Sequence, residues 1–351
     1  MNPDPDETRT AHRRETGDLP AIEEHDLPPG RHQFHKERLM NRISDDRVAA
    51  ARPARNPFLR KVVLLPAATA LAGALAVGVL LLTPGGGDRP DGRATGPVLT
   101  TRLGTVDAQG APRFLERISL AAAEADAPHG RAGQYVYIET RTAGVHVKTV
   151  NGVSRVEGVP LHTRQTWKSP DGLDGRLVEP GTTGPEGISL AGPDETGDTP
   201  RPHLGAPSHD YLAALPTDPD ALLRKIYEET EGQGNGKDQQ AFTTIGDLLG
   251  ESWPSPRLTA ALYKAAARIP GVVLVDSATD AAGRTGVAVA RLDEAGGTRT
   301  EWIFDRKTSA FLGSRTVQVG ADPEGLMKPG TVLGTHAVMV RAFVDGTEET
   351  P

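Results

Sequence analysis

The sequence predicts an α+β fold, in which a curved antiparallel sheet packs on helices after one transmembrane helix and a mostly disordered N-terminal tail. Three observations lead to this prediction: a charge-free apolar run near residue 70, strand-type segments on both sides of a helical stretch, and connections rich in Gly and Pro. Strands followed by helices and then strands are typical of α+β folds. Whether the two sets of strands share one curved sheet or form two domains is open at this point.

The apolar run begins at Val62 and ends at Leu82, and it contains 21 residues without a charge. At 1.5 Å per residue such a helix spans about 31 Å, close to the hydrocarbon thickness of a bilayer. Five basic and no acidic residues lie between positions 47 and 61, whereas charges balance in residues 83–97. The positive-inside rule therefore predicts a single-pass cell-membrane protein with a cytoplasmic N-terminus and an extracytoplasmic C-terminal domain.

Residues 1–61 form the predicted cytoplasmic tail. Residues 1–30 are charged, contain several prolines and have few large apolar groups, so disorder is expected there. Residues 31–48 combine helix formers with a short apolar stripe, which predicts a short amphipathic helix. This helix either lies on the inner leaflet or docks a cytoplasmic partner. Its candidate partner-binding residues are Phe34, Leu39, Met40 and Ile43.

After a linker at residues 83–110, an extracytoplasmic α+β domain is predicted over residues 111–346, with a flexible loop at about 180–209. Apolar periodicity and capping residues predict helices at 112–126, 218–231 and 239–249, and a further helix opened by Ser255 and Pro256. β-branched and aromatic segments predict strands at 134–140, 145–150, 161–168, 173–179, 272–277, 286–292, 300–305, 311–319 and 332–344. Residues 169–172, SPDG, are a turn sequence, and Gly283 suits the turn between two later strands.

Composition excludes several kinds of site. The chain has 351 residues, a net charge of -7, no cysteine, and only 7 Phe, 5 Tyr and 3 Trp. Without cysteine there are no disulfides, thiolate zinc sites or iron–sulfur clusters. Negative charge argues against non-specific binding to nucleic acid, and few aromatic side chains argue against base-stacking surfaces. We therefore expect no direct binding of nucleic acid.

No motif predicts catalysis. Residues 187–191, GISLA, differ from G-x-S-x-G at the last position and lie in a Gly- and Pro-rich loop. Ser208, His209 and Asp210 are consecutive, and adjacent residues cannot converge as nucleophile, base and orienting group. The glycines before Lys237 are not a phosphate loop, because the spacing differs and Asp238 follows. The histidines lack metal-ligand spacing. We expect a non-enzymatic protein without catalytic, cofactor-binding or metal-binding residues.

Three segments carry a resemblance to a known type of domain: the helix leading into GQYVY at 133–137, the WKSPDG hairpin at 167–172, and WIFDRKTS at 302–309. Together they resemble the LolA/RseB type of extracytoplasmic domain. In that type a half-barrel of antiparallel strands wraps around helices and can hold lipid or a regulatory partner. The resemblance implies the same half-barrel here.

The layout of the whole chain is similar to an uncharacterised family of actinobacterial single-pass membrane proteins, often encoded beside extracytoplasmic-function sigma factors. LPPGRHQFHKERLM at 27–40 and ARIPGVVLVDSATDAAGRTGVAVARL at 267–292 are part of this similarity. It implies signalling, with an outer domain that senses a lipid or protein ligand and a tail that restrains a sigma factor. The zinc-type anti-sigma domain needs two cysteines that this tail lacks, so a sigma contact would use the short helix.

Two functions follow from these observations. The first is a transmembrane regulator of a sigma factor. The alternative is a membrane-anchored module that binds lipid or another small apolar ligand, with a tail that serves only topology. An apolar pocket between sheet and helices would support the alternative, lined by residues such as Val136, Ile138, Leu262 and Ile303. A structural envelope protein is a third, simpler interpretation.

Overall fold

The computed structural model describes residues 96–150, 153–190, 201–234 and 236–351. The predicted apolar span, the tail and the four candidate partner-binding residues Phe34, Leu39, Met40 and Ile43 lie outside these ranges. Within the described ranges, no helix has both the length and the apolar character needed to span a bilayer.

All ten strands of the described residues belong to one open antiparallel sheet, with the order β1-β6-β7-β8-β9-β10-β2-β3-β4-β5. The strands are β1 (Val106–Asp107), β2 (Tyr135–Val150), β3 (Val153–Lys168), β4 (Gly175–Val178), β5 (Ile188–Ser189), β6 (Val272–Thr279), β7 (Thr285–Asp293), β8 (Thr298–Phe304), β9 (Phe311–Gln318) and β10 (Val332–Val344). The two predicted sets of strands therefore share a single sheet.

The last strand joins the two sets. β10 pairs with β9 along one edge, where Ala337 lies opposite Gly313. Along its other edge it pairs with β2, where Arg341 lies opposite Ile138. The remaining neighbours are consecutive hairpins, except that β1 pairs with β6 at the outer edge of the sheet.

Five helices are present in the described ranges: α1 (Gly110–Ala123), α2 (His209–Ala213), α3 (Pro219–Glu229), α4 (Lys237–Glu251) and α5 (Pro256–Ala266). The side chains of Ser208, Asp218 and Ser255 cap the first turns of α2, α3 and α5 by accepting backbone N–H bonds. Proline occupies the start of α3 and α5, where a missing N–H costs nothing. The predicted starts of α3 and α5 are confirmed, whereas α2 has no counterpart in the prediction.

The helices pack on one face of the sheet, called here the helix face. Trp302 and Phe304 of β8 point into this core and are fully buried. The ring of Phe242 from α4 stacks on Trp302 with centroids 3.9 Å apart. Phe304 meets Phe114 of α1 edge to face at 5.5 Å. Because strand side chains alternate, Ile303 between them points to the opposite, outer face.

The outer face has its own apolar clusters. Ile303 packs there with Val275 and Ala288, while Tyr137 and Trp167 form a separate cluster farther along the sheet. The chain before α1 runs along the same sheet: Thr101 N–H donates to Gly330 at 2.8 Å. The structured region therefore begins before residue 111, where the sequence predicted a linker, because backbone groups from residue 96 onward bond to the sheet.

The N-terminal hairpin is longer than predicted. β2 and β3 each contain 16 residues, where the sequence predicted separate segments at 134–140, 145–150 and 161–168. β2 continues through Gly144, where a Cβ atom would stand 2.7 Å from the carbonyl oxygen of Leu333. Glycine is thus required by the close approach of β10 and does not end the strand.

Candidate functional site

Charged side chains gather on the helix face at the junction of β3, β10 and α4. In the part of β3 from His162 to Lys168, even-numbered residues share this face, so Arg164 and Lys168 point toward the helices while Trp167 points away. His336 and Arg341 of β10 point the same way across a bulge between Val338 and Val340. We call Arg164, Lys168, His336, Arg341, Asp247 and Glu251 the charged cluster.

Helix α4 supplies the acidic side of the cluster. Asp247 and Glu251 are one turn apart, and both are accessible to solvent. Glu251 favours the charged forms of Lys168 and His336, which places its carboxylate near both cations. The charged cluster therefore contains both signs of charge, contributed by elements that are distant in the sequence.

Loss of contact with water shifts the pKa of four members of the cluster. It lowers the pKa of Lys168, with Glu251 acting in the opposite direction. It also lowers the pKa of His336, again against Glu251. The side chain of Asp247 is exposed but crowded by protein atoms; this partial desolvation raises its pKa well above the ordinary value, and repulsion from Glu251 adds to the shift. For Arg341, burial lowers the pKa to about 10. Such shifts are expected where ionisable groups are crowded by protein atoms.

Hydrogen bonds fix part of the cluster. Nδ1 of His336 lies 3.1 Å from Oγ of Ser314, and a guanidinium nitrogen of Arg341 donates to the carbonyl of Leu249 at the end of α4. Nε2 of His336 and Nε of Arg341 are buried without a protein partner in the described structure. At the outer edge of the cluster, Glu179 forms an ion pair with Arg164 at 3.4 Å, and its other oxygen lies 3.1 Å from Nε2 of His162.

A small cavity of about 20 Å³ opens beside the cluster. Of the four residues named as the lining of an apolar pocket that would support the alternative function, Val136 and Ile138 line this cavity, together with Lys168 and Glu251. The other two lie elsewhere: Leu262 is in the helix-face core and Ile303 is on the outer face. The cavity has room for about one water molecule and none for an alkyl chain.

The residues that resemble catalytic motifs have structural roles. Oγ of Ser208 accepts from the Tyr211 N–H at 3.0 Å and caps α2. The ring of His209 meets Phe343 edge to face at 5.7 Å, and the Asp210 N–H donates to Pro170 at 2.9 Å. Ser314 and His336 do touch, but His336 Nε2 has no carboxylate partner in the described structure, so no triad forms there.

No group of three or more His, Asp or Glu side chains could hold a metal ion in the part of the chain that the structure describes. The charged cluster presents exposed carboxylates on α4 beside half-buried cations on β3 and β10. The sequence pattern did not predict this cluster. Residues 161–168 alternate so that His162, Arg164 and Lys168 share the polar face of β3, and such a face is ordinarily expected to meet solvent and not helices.

Comparison with known proteins returned no match, neither to a protein-family model nor to a curated protein.

Proposed function

We propose that the chain is a non-enzymatic, single-pass cell-membrane protein that regulates a sigma factor. Residues 62–82 anchor it, with the N-terminus in the cytoplasm and the α+β domain outside the cell. The outer domain senses a ligand or a protein partner. The tail restrains the sigma factor through Phe34, Leu39, Met40 and Ile43.

One observation carries the proposal: a single ten-stranded antiparallel sheet holds its helices on one face. That arrangement supports the resemblance to the LolA/RseB half-barrel, a type of domain that holds ligands or regulatory partners. The main helix–strand contacts join α1 to β6 and α4 to β7, β9 and β10. The charged cluster lies on the helix face, beside α4 and the strands β3 and β10. Its exposed carboxylates on α4 are available to recognise a ligand or partner.

The regulatory role is tested by co-purification of the full chain with the sigma factor encoded beside it. We expect the factor to co-purify, and we expect Leu39→Asp with Met40→Asp to abolish the association by placing charge on the apolar stripe. Asn41→Ala in the same segment is the matched control and retains it. If the wild-type chain brings down no sigma factor, and deleting its gene leaves sigma activity unchanged, the regulatory role is wrong.

The membrane topology has a separate test. A reporter that is active only outside the cytoplasm should give signal when fused after Gly92 and no signal after Arg42. The opposite result contradicts the assignment of residues 62–82 as an anchor with a cytoplasmic N-terminus.

A second candidate function is a membrane-anchored module for lipid or a small apolar ligand, in which the tail has no regulatory role. The 20 Å³ cavity beside Val136 argues against an alkyl chain at that position. A different groove, of about 300 Å³ at the other end of the sheet, favours ligand binding. A chain that binds ligand but never associates with the sigma factor would select this second function.

A further inference from the structure

A groove of about 300 Å³ lies between α1, β6 and β7, far along the sheet from the charged cluster. Three apolar side chains form its floor: Phe114 from α1, Leu274 from β6 and Val287 from β7. Three arginines surround this floor: Arg113, Arg117 and Arg306. The groove thus combines an apolar surface with a purely cationic rim.

The positive charge of the rim has no counter-charge within the groove. None of the described lining residues is acidic, and none of the three arginines forms an ion pair within the described ranges. Arg113 and Arg117 are one helical turn apart, where like charges repel. Oδ1 of Asp107, beside the groove, accepts from the N–H groups of Gln109 and Gly110 at 2.9 and 3.1 Å, and in the described structure this carboxylate forms no ion pair with the three arginines.

Two of the arginines are held in place. The guanidinium of Arg117 lies 5.0 Å from the ring centroid of Phe114, so its charge is positioned at the edge of the apolar floor. Arg306 donates to the backbone carbonyls of Asp276 and Gly286. The hydrogen bonds of Arg306 come from one guanidinium nitrogen, and the ring contact of Arg117 uses no N–H donor, so both side chains keep N–H groups for a ligand.

We propose that this groove binds an anionic amphiphile as a single free molecule. Its phosphate or carboxylate group pairs with Arg113, Arg117 and Arg306, because guanidinium groups match oxyanions with two parallel hydrogen bonds. Its alkyl part packs against Phe114, Leu274 and Val287, so that the apolar surface of the ligand itself is removed from water. Inorganic phosphate has no alkyl part to place on the floor, and a neutral alkyl chain would leave the cations unpaired.

This inference rests on the proposed sensing function, for which it names the ligand class. It is tested on the full chain in nanodiscs of zwitterionic lipid by calorimetric titration with hexyl phosphate, inorganic phosphate and hexanol. We expect saturable binding of hexyl phosphate, at least tenfold tighter than that of either comparison compound. Absence of saturable hexyl phosphate binding overturns the proposal. Equal affinities for hexyl phosphate and inorganic phosphate also overturn it, because the floor would then contribute nothing.

Variants locate the site. Arg113→Gln with Arg117→Gln should weaken hexyl phosphate binding at least tenfold, whereas Arg224→Gln, at an exposed position on α3, should leave it unchanged. Both substituted rim positions are exposed, and thermal unfolding of the double variant checks that it folds. Wild-type affinity in a folded double variant overturns the assignment. Failure of the tail to bind a sigma factor would leave this result standing, so the two proposals fail separately.

Discussion

Gly250 of α4 lies directly against His336 of β10: a Cβ atom on Gly250 would stand 2.4 Å from Nε2 of the histidine. One turn earlier, Gly246 has the same relationship with Trp302, whose Nε1 would be 2.4 Å from an added Cβ. Two glycines on one stripe of the helix therefore allow α4 to lie closer to the sheet than a helix with side chains at those positions.

Gly250→Ala is expected to destabilise the domain by about 1–3 kcal/mol, because the added methyl overpacks the contact with His336. This loss outweighs the gain of about 1 kcal/mol that alanine brings to a helix. Urea unfolding measures the net change in the free energy of unfolding. Gly334→Ala is the control, since a Cβ there meets no atom within 4 Å, and its effect should stay within about 1 kcal/mol. A Gly250→Ala protein as stable as wild type would contradict the close packing.

The buried carboxylate of Glu301 on the outer face is the second target. It accepts from Nε of Arg299 at 2.7 Å and from Nε of Arg315 at 2.6 Å, and all three side chains are buried. Glu301→Gln leaves two buried guanidinium groups without a counter-charge and should cost about 3–5 kcal/mol in free energy of unfolding.

The matched control for Glu301 is an exposed ion pair. Arg131 and Asp345 are 2.9 Å apart with side chains 76% and 61% exposed. Asp345→Asn should cost less than about 1 kcal/mol, because water screens exposed pairs. If both variants lose the same free energy of unfolding, the buried ion pairs of Glu301 contribute no more to stability than an exposed pair.

Acid should destabilise the fold through His336. Burial holds its pKa below 6.5 in the folded state, so the unfolded chain binds a proton first as the pH falls. Its contribution to stability is complete above pH 6.5 and is lost as the pH decreases from there toward the folded pKa. Glu251 and Asp280 oppose this shift, and Arg164 and Arg341 reinforce it.

The measurement for His336 is the difference in Tm between pH 7.5 and pH 5.5. His336→Gln should make this difference smaller than in the wild type. His129→Gln, at an exposed position, should leave it unchanged. An unchanged difference in the His336→Gln protein would show that this histidine does not couple folding to pH.

Asp247 should act in the opposite direction. Its pKa is raised in the folded state, so its contribution to stability is present at low pH and is lost as the pH rises through the folded pKa. Asp247→Asn removes the crowded charge and should raise the Tm at pH 7.5, with a smaller gain at pH 5. Glu228→Gln, an exposed carboxylate on α3, should change neither value. A lower Tm at pH 7.5 for Asp247→Asn would contradict the raised pKa.

Local signals predicted local structure well. The starts of α3 and α5 depend on Asp218 and Ser255 with the prolines that follow, and all these interactions lie within one turn. Residues 169–172 form the predicted turn, in which the Gly172 N–H donates to Ser169 at 3.0 Å. In contrast, the sequence did not lead us to expect that Val150 and Val153 pair as ends of two long neighbouring strands.

The charged cluster was beyond sequence reasoning for a different reason. Lys168 and His336 come together only because β10 pairs with β2, and no local pattern encodes that register. The acidic partner Glu251 reaches them only because glycines bring α4 close to the sheet. The pairing of distant strands and the distance of a helix from a sheet are tertiary properties, so propensity and period do not report them.

The position of β10 between β9 and β2 also has a consequence for biosynthesis. Until Val344 has been made, the earlier β2–β5 hairpins and the later β6–β9 hairpins each expose an unpaired edge, and such edges recruit other chains. The closing contacts join residues near 140 to residues near 340, a separation that slows folding. A chain that lacks β10 would therefore present two unpaired sheet edges in place of one continuous sheet.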